Sequence, residues 1–264
     1  MAAQPLGKGR RPLRLVHSSD VHLGAYEGSR DPYLGSLAPR AEAAFQALVE
    51  MANAAAADAL LLAGDLFDHA RVSAETVARA AATIDAFRGR VFLLPGNHDS
   101  VDETGLHGRH DLAAMADNLH VFRVPAGETV TVAALDLTVW GRAYRDAEPG
   151  FRPLDGLPAR RDDGWHVALA HGHFLGENAA AGRSLPIEPD EVAAAAGHWD
   201  YLAFGHWEPH ADVSRGGTTA VYSGSPLPRA GAPDDPGRAV LVEMDGDGVR
   251  WRLHPLHGRD DARR

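Results

Sequence analysis

The sequence predicts a mixed α/β fold whose first half is a parallel sheet covered by helices. Three observations predict it. The first hundred residues alternate short apolar runs with helical periodicity, the β-α-β-α-β pattern of a parallel sheet. The second half is dominated by short apolar runs with turn residues between them. The chain has 264 residues and a 45% hydrophobic fraction, enough to bury a sizeable core.

Leu13 to Ser18 (LRLVHS) reads as the first strand, followed by a Gly-, Ser- and Pro-rich loop from Gly24 to Pro39. Arg40 to Ala57 reads as a helix, because Ala41, Phe45, Leu48, Val49 and Ala52 share one face. Ala59 to Ala63 (ALLLA) is continuously apolar, as a strand buried on both faces must be. Ser73 is placed to cap a helix running to Phe87, with Val77, Ala81, Ile84 and Phe87 inward. Val91 to Leu94 is the third strand. Further strands are expected at Thr129–Ala133, Leu135–Val139, Trp165–Ala170, Tyr201–Phe204, Thr218–Tyr222, Ala239–Met244 and Val249–Leu253. Asp245-Gly246-Asp247-Gly248 is a hairpin turn signal between the last two. Residues 142 to 164, rich in Pro, Gly and Arg, read as a long connection. The division expected is a flexible N-terminus over 1–12, a single domain over 13–257 and a flexible tail over 258–264.

The formal net charge is −10. A domain that grips duplex DNA through its phosphates alone is normally basic, so this charge argues against autonomous tight DNA binding. It leaves room for a metal site that neutralises one phosphate locally. No cysteine is present, which removes disulfides, zinc-thiolate sites and cysteine nucleophiles. No run is long and apolar enough for a membrane span, and the polar start lacks a leader-like apolar segment, so a cytoplasmic protein is expected.

Chemistry-bearing residues stand directly after apolar strands five times. Asp20-Val21-His22 follows the first, Gly64-Asp65 the second and Gly96-Asn97-His98-Asp99 the third. His171-Gly172-His173 follows WHVALA, and Gly205-His206-Trp207-Glu208-Pro209-His210 follows DYLAF. In an open α/β sheet, loops leaving the carboxyl ends of neighbouring parallel strands converge on one crevice. These clusters therefore predict one polynuclear metal site. Gly64, Gly96 and Gly205 sit where each strand turns and lack the Cβ that would obstruct a positive φ or a close approach. Oxygen and imidazole donors without thiolate suit Mn²⁺, Fe²⁺, Zn²⁺ or Mg²⁺. A carboxylate such as Asp65 can bridge two cations, Asn97 offers a neutral oxygen, and Asp99 can orient a neighbouring imidazole.

The ordered set D-x-H, G-D, G-N-H-D, H and G-H resembles the calcineurin-like metallophosphoesterases over roughly Leu13 to Arg229. SSDVHLG, GDLFD, DYLAFGH and Tyr222-Ser223-Gly224-Ser225-Pro226 resemble more narrowly the SbcD-type DNA-repair exonucleases. The resemblance implies a four-layer α/β/β/α sandwich of two mixed sheets. It implies two divalent metal ions, typically Mn²⁺, that hydrolyse a phosphodiester through a metal-bridging hydroxide. Asp20 and His22 would hold one ion, Asp65 would bridge, and Asn97, His171 and His206 would hold the other. His98 would stay off the metals and protonate or stabilise the leaving group, with Asp99 beside it in the catalytic set. A DNA end is the substrate the resemblance favours, and a coiled-coil ATPase the partner. Two departures weigh against the nuclease. Glu208 stands where the family has its last histidine, so that Glu208 or, with a reorganised loop, His210 completes the first metal position. The chain also stops soon after the catalytic core, with little room for a DNA-contacting cap or an ATPase-docking segment. The competing expectations are a phosphodiesterase or phosphatase acting on a nucleotide, and a catalytically weakened binding module.

Other residues read more plainly. His17 lies within the first strand and is expected to be packed and hydrogen-bonded. His69, His107, His110 and His120 read as loop or surface residues, and His173 as a weaker ligand than His171. Asp68 is balanced between contact with substrate or ligands and a solvated loop. The arginines at 142, 145, 152, 160 and 161 read as a charged solvated loop ahead of a nucleic-acid contact.

Overall fold

Two six-stranded mixed sheets lie face to face in a computed structural model that describes residues 9–25, 27, 29–30, 38–146, 148–176, 184–227 and 235–256. Residues 1–8 of the expected flexible N-terminus, the expected tail and much of the loop from Gly24 to Pro39 lie outside the described residues. The first sheet joins β1 (Leu13–Ser18), β2 (Ala59–Ala63), β3 (Arg90–Leu94) and β4 (Leu119–Val121) in parallel, with β13 (Arg238–Asp245) antiparallel to β1 and β14 (Gly248–Pro255) beyond it. The second has β6 (Leu137–Gly141), β7 (Trp165–His171), β10 (Tyr201–Gly205) and β12 (Thr219–Tyr222) in parallel. Its antiparallel edges are β5 (Glu128–Val132) and β11 (Ala211–Asp212). A small parallel pair, β8 (His173–Phe174) and β9 (Pro186–Ile187), stands apart.

Strand alternation sets the layers. Leu13, Leu15, Leu61, Phe92 and Leu94 point between the sheets and meet Leu137, Val139, Val167, Leu169 and Ala203. Val16, Leu60, Leu62, Val91 and Leu93 face the other way, onto α1 (Ala38–Ala54) and α2 (Ala74–Asp85). Helix α1 buries Ala41, Phe45, Leu48, Val49 and Ala52, the face its 3.6-residue period predicts. Each of Phe45 and Leu48 contributes about 1.5–3 kcal/mol by leaving water. Ser73 caps α2, its side chain accepting from the Thr76 N–H. On the far side, Trp140, Ala168, Leu202 and Phe204 pack with Trp199 and with Val192 of a short helix, Pro189–Ala194. The result is the helix–sheet–sheet–helix sandwich that the resemblance implied.

The register places the chemistry. Leu15 aligns with Ala59, Ala59 with Arg90, and Gly205 with His171. Five parallel strands thus end side by side at one rim of the sandwich, each followed by one of the clusters. No strand or helix is found between Gly141 and Trp165 among the described residues, so the long connection is irregular, but it is not loose. Arg142 ties it down through the carbonyls of Pro125 and Arg152 and the Glu148 carboxylate. Among the described residues, no helix is long and apolar enough to cross a membrane.

Candidate metal centre

The first ligand loop leaves β1 with Asp20 at φ 56° and His22 at φ 54°, both in the left-handed region. Asp65 (φ 53°) and His206 (φ 93°) share that unusual backbone. A non-glycine residue there costs on the order of 1–3 kcal/mol and persists only where its surroundings fix it. Three backbone bonds fix this one: Asp20 N–H to Gly64 O at 3.0 Å, Val21 N–H to Asp65 O at 3.0 Å and His22 N–H to Asp65 O at 3.1 Å. The loops after β1 and β2 are thereby zipped together, which turns Asp20, His22 and Asp65 onto one spot. Ser225 adds a clamp, its Oγ donating to the Asp20 carbonyl at 2.8 Å and its N–H to the Glu208 carbonyl at 2.9 Å.

The expected glycines act mainly through close approach. A Cβ on Gly64, which has φ +96°, would lie 2.0 Å from His171 Nδ1. A Cβ on Gly96 would lie 2.1 Å from Asp65 Oδ1 and 2.6 Å from its backbone nitrogen. One on Gly205 would lie 1.8 Å from the Ala63 carbonyl, across the gap between the sheets.

Three groups of donors gather. Asp20, His22 and Asp65 form one, Asp65, His171 and His206 a second, and His22, Asp68 and His98 a third, with donor atoms in each within 4.8 Å of one another. Asp65 belongs to the first two. Asn97 completes the second, its Oδ1 lying 3.0 Å from His171 Nε2 and 3.0 Å from His206 Nδ1. His171 Nε2 is also 3.2 Å from Asp65 Oδ2. The opposite nitrogen, Nδ1, is 2.9 Å from the Ala63 carbonyl, to which it donates, so Nε2 is the atom turned towards Asp65 and Asn97. Buried carboxylates, imidazoles and one carboxamide oxygen with no thiolate fit a divalent cation in each of the first two groups, with Asp65 common to both.

The electrostatics show the same demand for positive charge. Burial disfavours the His171 cation, but Asp65 and then Asp20 outweigh it and raise the imidazole to about 9. Burial likewise opposes the His22 cation, yet the hydrogen bond to Asp68 and the carboxylates of Asp65 and Asp20 raise it to about 8. Asp65 is buried, which would raise its carboxyl, but His171, His22 and the His98 N–H hold it well below the usual range. Burial pushes Asp20 up. His206, which is half-buried and faces a charged His171, falls to about 4. A divalent cation held by these groups would supply the positive charge that protons on His22 and His171 supply without it.

His98 belongs to the third group. Its N–H donates to Asp65 Oδ1 at 2.9 Å, and its Nδ1 is 2.7 Å from the Asp68 carbonyl. Asp68 does more than sit in a loop: its Oδ1 is 3.1 Å from His22 Nδ1, and its main chain holds His98. Asp99 is fully buried and accepts from the Gly96 N–H at 2.7 Å and the Phe67 N–H at 3.2 Å, fastening the loops after β2 and β3. The imidazole nearest its carboxylate is His107, at 3.7 Å.

Other candidates fall elsewhere. Glu208 is exposed and joins none of the three groups, and His210 Nδ1 is 2.8 Å from the Tyr222 carbonyl. His173 is outside the groups too, its ring stacked on Trp207. His17 is packed as expected, with Nδ1 2.9 Å from the Tyr201 hydroxyl. His107 is a correction: it is 3% exposed and packs edge-on against Phe67, not at the surface. His120 also differs, lying in β4 against Phe92 and Phe122. Of the five arginines, Arg142, Arg152 and Arg160 are engaged with carboxylates of the fold itself. Sequence reasoning missed the supporting role of Tyr222. Its hydroxyl donates to the Gly172 carbonyl at 2.7 Å and accepts from the Phe174 N–H at 2.9 Å, pinning the loop after His171.

Comparison with known proteins agrees with this geometry. The profile of the family described as calcineurin-like phosphoesterase matches residues 13–207. The chain is 28% identical over 236 residues to a DNA double-strand break repair protein Mre11 of Methanopyrus kandleri, covering 82% of this chain and 49% of that protein. It is 24% identical over 249 residues to a subunit of the SbcCD nuclease of Bacillus subtilis, covering 81% of this chain and 62% of that one. The chain therefore spans about half to three fifths of the length of these relatives. The structure of TT1561 of Thermus thermophilus superposes with a TM-score of 0.58 at 14% identity, covering 94% of this chain and all of that one, a likeness of fold.

Proposed function

From a chain that belongs to the calcineurin-like phosphoesterase family, we propose a two-metal phosphodiesterase that acts on DNA ends. The observation that carries the two-metal reading is Asp65, the carboxylate common to two adjoining donor groups. We assign Asp20, His22 and Asp65 to one divalent cation, and Asp65, Asn97, His171 and His206 to the other, with Mn²⁺, the ion the family resemblance implies, among those this oxygen–imidazole set accepts. Two such cations would supply Lewis acidity to the phosphate oxygens and activate the attacking water.

The remaining steps belong to the protein's own side chains. Asn97 keeps its neutral oxygen between His171 and His206, so a second ligand position is filled without further negative charge. His98 is held at Nδ1 by the Asp68 carbonyl, which leaves Nε2 as the atom that hands a proton to the leaving oxygen. Asp99 positions the loop that carries both Asn97 and His98 through the Gly96 N–H. Glu208 stands in the place of the family's last histidine, on a loop that Ser225 holds by its backbone, and lies outside the donor groups.

Residues 13–257 form the single catalytic domain in this reading, and a cytoplasmic location goes with it. Two curated relatives are, by name, a break-repair protein and a nuclease subunit, which supports the DNA end; a coiled-coil ATPase partner is what the family resemblance adds to this reading. The net charge of −10 supports the second reading, a nucleotide phosphodiesterase. A panel of single-stranded DNA, duplex ends and bis-p-nitrophenyl phosphate with Mn²⁺ separates them. DNA products from strand ends are expected. Turnover of the aryl ester with no cleavage of either DNA would overturn the nuclease assignment and leave the phosphodiesterase.

A further inference from the structure

Trp207 follows the ligand His206 directly and is 39% exposed. Among the described residues, the other large hydrophobic side chains with this much exposure are Met115, Val124 and Leu253, none of them aromatic. Exposing an indole is costly, and the fold gives this one a fixed orientation. Its ring is stacked on His173 at 26° with centroids 5.5 Å apart, and Tyr222 meets it nearly edge-on at 78° and 5.8 Å. The His173 ring in turn lies 6.2 Å from the His206 ring, so the stack begins at the metal centre and runs outward. Tyr222 is itself immobilised through the Gly172 carbonyl and the Phe174 N–H. A planar apolar surface, backed by His173 and met at its edge by Tyr222, is thus linked through the His173 ring to the ligand His206.

We propose that Trp207 is a stacking platform for the nucleobase next to the scissile phosphate, making it a substrate-specificity residue; this rests on the phosphodiesterase reading above. The charge of the chain supports it. A protein of net charge −10 gains little from a basic groove tracking many phosphates. A nucleotide ligand must then be held by the cations at one phosphate and by neutral contacts elsewhere, and an aromatic face serves any base because every base has a π-face. Sugar phosphates, phospholipids and phosphoserine present nothing flat to this surface, so the platform selects nucleotides and nucleic-acid ends from these phosphate esters.

The test is calorimetric binding to the Mn²⁺-loaded protein of thymidine 5′-monophosphate and of its baseless counterpart, 2-deoxyribose 5-phosphate. Stacking of one base predicts a preference for the nucleotide of about 5- to 100-fold. Trp207→Ala should bring that ratio close to one, and Trp207→Phe should retain most of it. A 5′-phosphorylated oligothymidylate, as a third ligand, distinguishes a strand end from a free nucleotide as the source of the base. A wild-type ratio near one, or a ratio that survives in Trp207→Ala, overturns the platform. Turnover of bis-p-nitrophenyl phosphate by the unmodified protein keeps the two readings apart. Turnover without a base preference defeats the platform alone, whereas no turnover defeats the underlying phosphodiesterase and the platform with it.

Discussion

Replacing Gly96 by alanine tests how tightly the centre is built. Gly96 begins the loop that carries Asn97 and His98, and the added Cβ would meet Asp65 Oδ1 at 2.1 Å, Asp65 Cγ at 2.8 Å and the Asp65 backbone nitrogen at 2.6 Å. Ordinary contact begins near 3.4 Å, so carboxylate and loop must separate by about 1.3 Å. Rotating the side chain alone does not relieve the clash, because the backbone nitrogen is also too close. The same loop donates the His98 N–H to Asp65 Oδ1 at 2.9 Å, and that bond must lengthen as the two part. Overpacking a well-packed site costs about 1–3 kcal/mol of stability. A misplacement of about 1 Å at a reacting centre lowers the rate on the order of a hundredfold, equivalent to about 2.7 kcal/mol of barrier. Gly246→Ala is the control, since a Cβ there meets nothing within 4 Å. The assay combines kcat/KM on bis-p-nitrophenyl phosphate, bound Mn²⁺ by elemental analysis and the thermal midpoint. Gly96→Ala is expected to lose both activity and metal, with Gly246→Ala matching the wild type. Full activity and full metal content in Gly96→Ala would refute the packing argument.

Asp65→Asn should lower kcat at least about a thousandfold, or about 4 kcal/mol, and reduce bound Mn²⁺ from two ions per chain; undiminished turnover would remove the bridging role. His98→Ala should lower kcat by about 10²- to 10⁴-fold at unchanged metal content, and loss of metal would move His98 into the ligand set. Tyr222→Phe leaves the Phe174 N–H and the Gly172 carbonyl without their partner, at a cost of about 1–3 kcal/mol measured by denaturant unfolding; an unchanged midpoint would show that the loop is pinned otherwise. Burial holds the His17 imidazole down to about 3, below its ordinary 6.5. Between those values the unfolded chain binds a proton that the folded chain refuses, so stability falls as the pH drops from 6.5, by about 1.4 kcal/mol per unit from this residue. His17→Gln should unfold with a correspondingly shallower dependence between about pH 6.5 and 4.5, and parallel curves for the two proteins would show that His17 is not the group concerned.

The strands were legible because burial on both faces leaves continuous apolar runs, and ALLLA and LRLVHS mark β2 and β1 to the residue. The elements that escaped are too short to carry a period, among them three-residue β4, the two-residue strands β8, β9 and β11, and the helix Pro189–Ala194. The segment expected as a strand from Leu135 begins two residues later, because Asp136 turns through the left-handed region at φ 52°. At the centre, the clusters that carry Asp20, His22, Asp65, Asn97, His171 and His206 followed from strand ends, and the family resemblance picked these residues out of them. Their backbone conformations did not follow, since Asp and His in left-handed conformations leave no mark on composition. Nor could sequence direct the side chains of the support. The choice of Asp99 for two backbone N–H groups, and the burial of His107 beside it, are decided by contacts across more than thirty residues of chain and by neighbouring loops.

That support explains why the ligands tolerate strain. At the rim the two sheets touch: Gly205 leaves no space for a Cβ against the Ala63 carbonyl. Asp20 is reached from the second sheet by the His206 N–H at 3.1 Å, and Asn97 of the first sheet sits between two histidines of the second. Both donor groups therefore draw ligands from loops that belong to different sheets or cross-brace each other. Sliding one sheet on the other by even a fraction of a strand spacing would break the Asn97 and Asp65 contacts together. The prediction is that cations and sheet packing stabilise each other. Saturating Mn²⁺ should raise the unfolding midpoint of the wild type, by RT ln(1 + [L]/Kd) for each ion, or about 2.7 kcal/mol at a hundredfold excess over Kd. The same addition should do little for Gly205→Ala, whose sheets are held apart at the rim. Equal stabilisation of the two proteins would show that the centre is assembled by its loops alone.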